Sequence, residues 1–352
     1  MENMVISKEG FDSLLARLIN DYQVIAPVKQ EEQVLLRNVS DPADIYLEFK
    51  GVPLSSPKRF LFPEKEILFT YETTDSKEEV VIYDKYEELK NVSHILIGIR
   101  PCDIKALLIL DKVLMGEYHD PYYAVRRRNA VIIGLTCNEP AETCFCTFTD
   151  SGPDAEEGFD LLLTDLDDVF FVKIGSKRGE RLIKLNLDLF RRPSEEDYKE
   201  RYKILKNVRE KINQQKLPNL LNLYEPMVKL FNNEIWDKYG KSCVACGKCN
   251  FICPTCRCFN IYDDPNLDAK SGKRVRAWDS CHFLSFTQVA GGVIFRKERP
   301  SRVKQRIYHK YCYSIDEIGL ISCVGCGRCI DVCSANIDIR EALAEVAGIW
   351  HL

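Results

Sequence analysis

The sequence contains two cysteine runs with the same spacing. The cysteines of the first run, CVACGKCNFICP, are Cys243, Cys246, Cys249 and Cys253. Those of the second run, CVGCGRCIDVC, are Cys323, Cys326, Cys329 and Cys333. The shared spacing C-x2-C-x2-C-x3-C is typical of chains that wrap a [4Fe–4S] cluster, because thiolates two residues apart on a curled loop can each bind a different iron. Gly247 and Gly327 follow the second cysteine of each run, and a residue without a Cβ lets the backbone curl there.

The fourth cysteine of each run is expected to serve the cluster of the other run, as in bacterial-type ferredoxins with two clusters. One cluster is therefore predicted on Cys243, Cys246, Cys249 and Cys333. The other is predicted on Cys323, Cys326, Cys329 and Cys253. Zinc is the alternative, but a zinc ribbon uses two separated C-x2-C pairs for one tetrahedral site, which does not match two runs of four. Pro254 follows the first run, whereas Ser334 and Ala335 follow the second.

Four cysteines in the first half of the chain follow short apolar runs. HILIGI (residues 94–99) and AVIIGL (residues 130–135) flank a stretch of helical periodicity, which predicts a βαβ unit with a parallel sheet. Cys102 follows the first run, Cys137 follows the second, and Cys144 and Cys146 stand in TCFC. Parallel folds place ligands at the carboxyl ends of their strands, so these thiols are predicted to hold a third [4Fe–4S] cluster. A zinc site and four ordinary buried thiols are the alternatives.

The segment between the two runs holds more thiols than two ferredoxin repeats need. CPTCRC contributes Cys256 and Cys258, WDSC contributes Cys281, and YHKYC contributes His309 and Cys312. A Cys3His set of Cys256, Cys258, Cys281 and His309 is predicted as a fourth metal site, with Cys312 as the alternative fourth ligand. The alternative without a metal is that these thiols only pack beside the clusters and that His309 is an ordinary surface or core histidine.

Three parts are predicted along the chain. Residues 1–190 are expected to form an α/β domain with the possible extra cluster, and residues 191–240 a helical connector. Residues 241–352 are expected to form an α+β, bacterial-ferredoxin-like dicluster domain with a long insertion at about residues 257–320.

Shorter patterns predict individual elements. The helical spacing of Phe11, Leu14 and Leu18 indicates a helix, and a strand is expected to follow it at residues 22–27. Residues 58–71 have the composition of a strand. Residues 161–173 indicate a hairpin. Ser194 and Asp197 form a capping box that begins a helix. The predicted face of that helix consists of Tyr198, Tyr202, Leu205 and Ile212. A second helix is expected at residues 221–240, and the basic run at residues 126–128 is interpreted as a solvated surface.

Bulk properties exclude several classes of protein. The formal net charge of −4 over 352 residues argues against a nucleic-acid-binding surface. No stretch approaches the ~20 apolar residues of a membrane span. The N-terminal sequence MENMVISKEGFDSLL lacks the apolar core of a signal peptide, so the sixteen cysteines are not interpreted as a secreted disulfide scaffold. A cytoplasmic protein from a cell working without oxygen is predicted.

Taken together, these motifs resemble the β (iron–sulfur) subunits of cytoplasmic sulfhydrogenases and the A subunit of anaerobic sulfite reductase. The resemblance runs nearly end to end and includes RPCDI, TCFC, CVACGKCNFICPTCRC, WDSC, the HK at His309 and Lys310, and CVGCGRC. The family pattern allows His or Cys at the HK position, which favours His309 over Cys312. Relatives read AGGHNFR or AGGHGFR where this chain reads AGGVIFR, so a role for that histidine is not transferred.

The resemblance implies a non-catalytic electron-transfer subunit. It would relay electrons between a flavin-containing, NAD(P)H-oxidising subunit and a catalytic subunit of the sulfite reductase, hydrogenase or sulfur reductase type. The chain itself has no G-x-G-x-x-G after a strand and no Walker-type loop, so no nucleotide or flavin site is predicted in it. Two alternatives stay open: a self-contained iron–sulfur or flavin oxidoreductase, and a docking subunit in which only the two C-terminal clusters are redox-active.

Overall fold

A computed structural model describes residues 3–73, 79–267 and 270–348. The strands are β1 Met4–Ser7, β2 Gln23–Gln30, β3 Gln33–Val39, β4 Lys65–Thr73, β5 Val80–Asp84, β6 His94–Ile99, β7 Ala130–Leu135, β8 Leu161–Asp165, β9 Val169–Ile174, β10 Phe190–Arg191, β11 Phe259–Pro265 and β12 Ser271–Trp278. The helices are α1 Lys8–Asp21, α2 Lys58–Leu61, α3 Tyr86–Leu89, α4 Pro101–Leu114, α5 Pro121–Asn129, α6 Lys177–Leu185, α7 Glu195–Asn213, α8 Tyr224–Lys229, α9 Ile235–Ser242, α10 Lys248–Phe251, α11 Arg299–Tyr308, α12 Ser314–Ile318, α13 Arg328–Asp331 and α14 Ile339–Val346.

The larger sheet is mixed and has the strand order β10-β1-β9-β8-β7-β6-β2-β3. Its centre is parallel, because β2 pairs with β6, β6 with β7 and β7 with β8 in that sense. The outer strands are antiparallel, including the β8–β9 hairpin expected at residues 161–173. The parallel pairing of β6 and β7 confirms the βαβ unit, and α5 is an additional helix within the crossover.

Helices cover both faces of this sheet. On one face, Phe11, Leu14, Leu15 and Leu18 of α1 pack with Ile95 and Ile97 of β6 and with apolar residues of the neighbouring strands. On the other face, Ile104, Leu107 and Leu110 of α4 pack against Leu96 and its neighbours. Successive side chains of a strand point to opposite faces, so β6 must be apolar along its whole length. HILIGI meets that requirement.

The smaller sheet is antiparallel, with the order β11-β12-β4-β5. Strands β4 and β5 belong to the first 190 residues, whereas β11 and β12 belong to the predicted insertion. Residues on both sides of the expected domain boundaries therefore build one sheet. Residues 58–71 begin with α2 rather than with a strand, because Pro63 separates that short helix from β4.

The connector is less regular than the sequence predicts. Ser194 and Asp197 form the expected capping box, but the buried face of α7 consists of Leu205, Val208 and Ile212, while Tyr198 and Tyr202 are exposed. The expected helix at residues 221–240 is divided into α8 and α9 by a turn.

The basic run at residues 126–128 is not a fully solvated surface. Arg126 contacts Glu66 with an N–O distance of 2.7 Å, and Arg127 contacts Asp111 at 3.0 Å, with all four side chains largely buried. These ion pairs join α5 to β4 and α4.

The C-terminal part is mainly helical around its cysteine loops. Trp236 and Tyr239 of α9, Val303 and Ile307 of α11 and Leu343 of α14 share one apolar core. A second, smaller core contains Cys102, Cys137 and Cys146 of the first domain, Val208 and Ile212 of α7, and Val324 and Cys326 of the second cysteine run. None of the helices in the described ranges combines the length and apolar composition that a membrane span requires.

Candidate iron–sulfur centres

Group 1 is defined as Cys243, Cys246, Cys249 and Cys333. These four side chains line one cavity of about 60 Å³, together with apolar residues such as Val303, Ile307 and Ile339. Cys246 is exposed, and the other three thiols are half-buried. The backbone N–H of Ala245 donates to Sγ of Cys243 at 3.3 Å, and that of Ile337 donates to Sγ of Cys333 at 3.2 Å. Cys333 thus lies with the first run, as the exchanged pattern predicts.

Group 2 is defined as Cys253, Cys323, Cys326 and Cys329. They line a smaller cavity of about 20 Å³ with Phe145, Arg306 and Lys310. Gly325 and Gly327 have φ of +57° and +78°, and a Cβ on either would lie 2.5 Å from Phe145 or Thr143. Only glycine permits both that conformation and that close approach. The second run is therefore shaped to lie directly on the TCFC loop.

Group 3 is defined as Cys102, Cys137, Cys144 and Cys146. Cys102 lies in the first turn of α4 after β6, Cys137 follows β7, and Cys144 and Cys146 lie in the next loop. All four are buried. Cys146 is close enough to Cys137 and Cys144 for their charges to act on its thiol, and Cys102 is likewise influenced by Cys146. The carboxyl ends of adjacent parallel strands have brought the four thiols together.

Groups 2 and 3 adjoin each other. The N–H of Phe145 donates to the carbonyl of Gly325 at 2.7 Å, and the hydroxyl of Ser151 donates to the carbonyl of Val324 at 2.7 Å. Arg328 donates two hydrogen bonds of 2.7 Å to the carboxylate of Asp103, and both side chains are 1% exposed. A buried ion pair thus connects the residue after Cys102 with the residue before Cys329.

Group 4 is defined as Cys256, Cys258 and Cys281, with His309 as the predicted fourth member. The thiols of Cys258 and Cys281 lie within hydrogen-bonding distance of each other, and Nδ2 of Asn250 is 2.9 Å from Sγ of Cys281. Cys256 also contacts Cys253 of group 2. Group 4 therefore adjoins group 2 through consecutive turns of the same chain segment.

His309 and Cys312 lie in different surroundings. His309 begins a π-helical turn, and Cys253 and Lys310 are among the charges that act on its imidazole. Burial lowers the pKa of His309 to about 3, so at neutral pH the ring has a lone pair for a metal. Cys312 packs into the helical core with Tyr308 and Tyr311, where burial and then Asp316 raise its pKa to about 11. The structure thus brings His309 near Cys253 of group 2, whereas Cys312 lies in the helical core.

The sequence analysis did not identify three buried cations near the cysteine groups. Lys58, Arg306 and Lys310 are 1%, 8% and 4% exposed, and each lies close to cysteines of groups 2 and 4. Lys310 is part of the HK motif, but the motif gave no indication that the lysine lies beside cysteines. Lys58 belongs to no motif that could have indicated such a position. Within the described ranges, none of the three has a carboxylate within ion-pair distance.

These cations provide a physical test of whether the thiols suit an anionic iron–sulfur group. An uncompensated buried charge costs several kcal/mol, so a nearby negative charge must balance it. Hydrogen bonding to Cys256 and the charges of Lys310 and Arg306 lower the pKa of Cys253. Thiolates bound to iron supply such a negative charge, and the donor set fits the group. No set of three or more His, Cys, Asp or Glu side chains in the described ranges is arranged around a single metal ion.

Comparison with known proteins identifies the family. Residues 242–337 match the family model of the 4Fe-4S dicluster domain. Over 98% of its length the chain is 34% identical to sulfhydrogenase 2 subunit beta of Pyrococcus furiosus, and the match covers 98% of that protein. The chain belongs to the sulfhydrogenase beta-subunit family.

Membership of this family and the dicluster domain show that the chain is an iron–sulfur protein that transfers electrons. Its C-terminal part holds two [4Fe–4S] clusters. The matched residues contain all of groups 1, 2 and 4, whereas group 3 lies outside them.

Proposed function

We propose that the chain relays electrons between a flavin subunit that oxidises NAD(P)H and a catalytic subunit of the hydrogenase, sulfur reductase or sulfite reductase type. The observation that carries this proposal is the continuity of the four cysteine groups. Cys249 of group 1 lies close to Cys329 of group 2, Cys326 of group 2 to Cys146 of group 3, and Cys253 of group 2 to Cys256 of group 4. Group 2 is the common neighbour of the other three.

The clusters would supply one-electron carriers at these positions, and the protein would provide their insulation and spacing. Apolar side chains and the buried Asp103–Arg328 pair separate group 3 and Cys326 of group 2 from solvent. Group 1 has the exposed Cys246, which makes it the position at which a partner can approach most closely. Electrons would enter or leave there.

Exposed apolar side chains support the existence of partner subunits. Val80, Ile82 and Tyr83 of β5 are each more than half exposed, and so are Val293 and Phe295 in the loop between Cys281 and α11. Apolar side chains gathered on a surface are common where another protein binds. The resemblance to sulfhydrogenase beta subunits supplies the class of partner.

Reduction of the isolated chain by NAD(P)H tests the need for a flavin partner. The anaerobically purified chain is expected to contain no flavin and to keep its oxidised cluster absorbance after NADH or NADPH is added. Dithionite is expected to bleach that absorbance, since it reduces clusters directly. The comparison is repeated with a separate flavin-dependent NAD(P)H oxidoreductase as the electron donor.

Bleaching by NADH or NADPH alone would contradict the proposal. It would favour the alternative of a self-contained oxidoreductase, particularly if the purified chain contained stoichiometric flavin. Iron confined to groups 1 and 2 would instead favour the docking-subunit alternative.

A further inference from the structure

Lys58 and Lys310 lie where groups 2 and 4 adjoin, and Arg306 lies between that junction and Cys249 of group 1. Nζ of Lys58 donates to the carbonyl of Cys256 at 2.9 Å and lies 3.7 Å from the ring centre of Trp278. Nζ of Lys310 donates to the hydroxyl of Thr255 at 2.7 Å. Nε of Arg306 donates to the side chain of Asn250 at 3.0 Å. Each cation is thus held in place by neutral acceptors, which leave its charge uncancelled.

Other charges at this junction are already neutralised. Arg257 lies between Cys256 and Cys258 in the sequence, and its guanidinium pairs with Glu317. The imidazole of His309 is 3.9 Å from the same carboxylate and carries no charge at neutral pH, because burial lowers its pKa to about 3. Groups 2 and 4 therefore share an excess of positive charge from Lys58, Arg306 and Lys310.

Group 3 has a different charge balance. The positive charge of Arg328 is cancelled by Asp103 in their bidentate pair. Arg100, which acts on Cys137, donates to the carbonyls of Gly51 and Phe49 at 2.9 and 2.7 Å. Among the residues that the structure describes, Arg100 is thus an uncancelled cation that faces group 3, whereas Lys58, Arg306 and Lys310 face groups 2 and 4.

We infer that Lys58, Arg306 and Lys310 make the junction of groups 2 and 4 the position where the relay holds its electrons, with group 3 reduced only at lower potential. This inference rests on the proposed function, since it requires clusters at these groups. Each cluster takes up one electron from the reductant, and no bond is made or broken. Nearby positive charge stabilises the added negative charge of the reduced cluster and raises its reduction potential.

The direct test is a redox titration of the Lys58→Met variant of the full-length, anaerobically purified protein. Dithionite is the reductant, and electron paramagnetic resonance monitors the reduction of the clusters. Methionine keeps the length and the contact with Trp278 but removes the charge. The ratio of reduced to oxidised cluster at a fixed potential is expected to fall about tenfold for a junction cluster, which is 59 mV for a one-electron couple. Lys58→Arg is expected to restore the wild-type value.

Lys304→Met is the matched control. Lys304 also donates to a carbonyl, that of Phe231 at 2.9 Å, and lies 3.8 Å from the ring centre of Phe231, but no cysteine acts on it. Its substitution should leave all potentials unchanged. If group 4 holds no cluster, the Lys58→Met shift is measured on group 2, because Lys58 also faces Cys253.

Asp103→Asn provides a second test with the opposite sign. Loss of this carboxylate exposes the charge of Arg328, which acts on Cys102 of group 3 and on Cys326 of group 2, so the potentials of these two groups should rise, whereas Lys58→Met lowers a junction potential. A purely structural role does not produce opposite shifts in proteins with unchanged iron content. If Lys58→Met and Asp103→Asn both keep their full iron content and both show unchanged potentials, the inference is overturned and the relay is unaffected. If the wild-type protein gives no cluster signals, the relay itself is refuted.

Discussion

Single residues decide whether a cysteine is suited to hold iron. Burial raises the pKa of Cys102, Cys137 and Cys146, and it raises that of Cys144 to about 12. Without metal these thiols are protonated at neutral pH, so cluster binding must displace their protons. Cys253 differs because Cys256, Lys310 and Arg306 favour its thiolate. The thiolate of Cys253 is thus favoured by its neighbours, whereas burial disfavours the thiolates of group 3.

Cys144→Ser tests group 3. A serine hydroxyl is a poor replacement for a thiolate ligand, so we expect the variant to lose about four irons per chain and to stay folded. Iron and acid-labile sulfide are measured together with the circular dichroism spectrum. Cys312→Ser is the control, because Cys312 is also buried, and the charge that acts on its thiol is that of Asp316 rather than that of another cysteine. Equal iron content in Cys144→Ser and wild type would support structural thiols instead.

His309→Ala tests the fourth ligand of group 4. We expect loss of about four irons, or conversion of one cluster with a changed paramagnetic signal, because the neutral imidazole is the predicted fourth ligand. Cys312→Ala should leave both measurements unchanged. The reverse result, with Cys312→Ala defective and His309→Ala normal, would assign the ligand to Cys312.

At the scale of elements, the smaller sheet attaches the predicted insertion to the first domain. Arg276 of β12 donates to Glu66 of β4 at 2.6 Å, with both side chains 6% exposed, and also contacts Asp120. Glu66 is shared with Arg126 of α5. The position of Cys281, three residues after β12, therefore depends on contacts with residues more than 150 positions earlier in the chain.

Arg276→Ala is expected to reduce the free energy of unfolding by about 3–5 kcal/mol, because it leaves the buried carboxylate of Asp120 without its cation and removes one of the two cations that contact the buried carboxylate of Glu66. Anaerobic urea denaturation measures the loss. Arg274→Ala is the matched control on the same strand, since its pair with Asp263 is more than 40% exposed and should contribute at most about 1 kcal/mol. Similar losses for the two variants would show that the buried network does not stabilise the attachment.

Local sequence patterns correctly predicted the helices and strands that depend on residues close together in the sequence. The apolar periodicity of α1, the βαβ unit around α4 and the capping box of Ser194 all lie within short windows, and each is present in the structure. The smaller sheet could not be predicted, because β4 and β12 are separated by most of the chain and neither run reveals its partner. The interruption between α8 and α9 was missed because the apolar spacing continues through a turn.

The same distinction applies to the site. Fixed cysteine spacing predicted how Cys333 and Cys253 are grouped, and parallel-strand geometry predicted the meeting of Cys102 and Cys137. The cations were not predictable, because an isolated lysine such as Lys58 reads as a surface residue until the fold buries it. Asp103 and Arg328 are more than two hundred residues apart, so their pairing has no local signal.

At the scale of the whole molecule, each cysteine group adjoins another. Group 1 reaches the surface at Cys246, group 2 lies inside, and groups 3 and 4 flank group 2 on the first domain and the insertion. The contacts between the TCFC loop and the second cysteine run fix the two halves of the chain against each other. A protein with only two active clusters would have no electron-transfer need for the thiols of groups 3 and 4.

The central claim is that all four groups carry electrons. Its most direct test is the content of iron and acid-labile sulfide per chain, with zinc measured in parallel, on anaerobically purified full-length protein. The account predicts about sixteen irons, a matching amount of sulfide and negligible zinc. About eight irons would confine the clusters to groups 1 and 2, leave groups 3 and 4 as structural thiols or zinc sites, and contradict the claim.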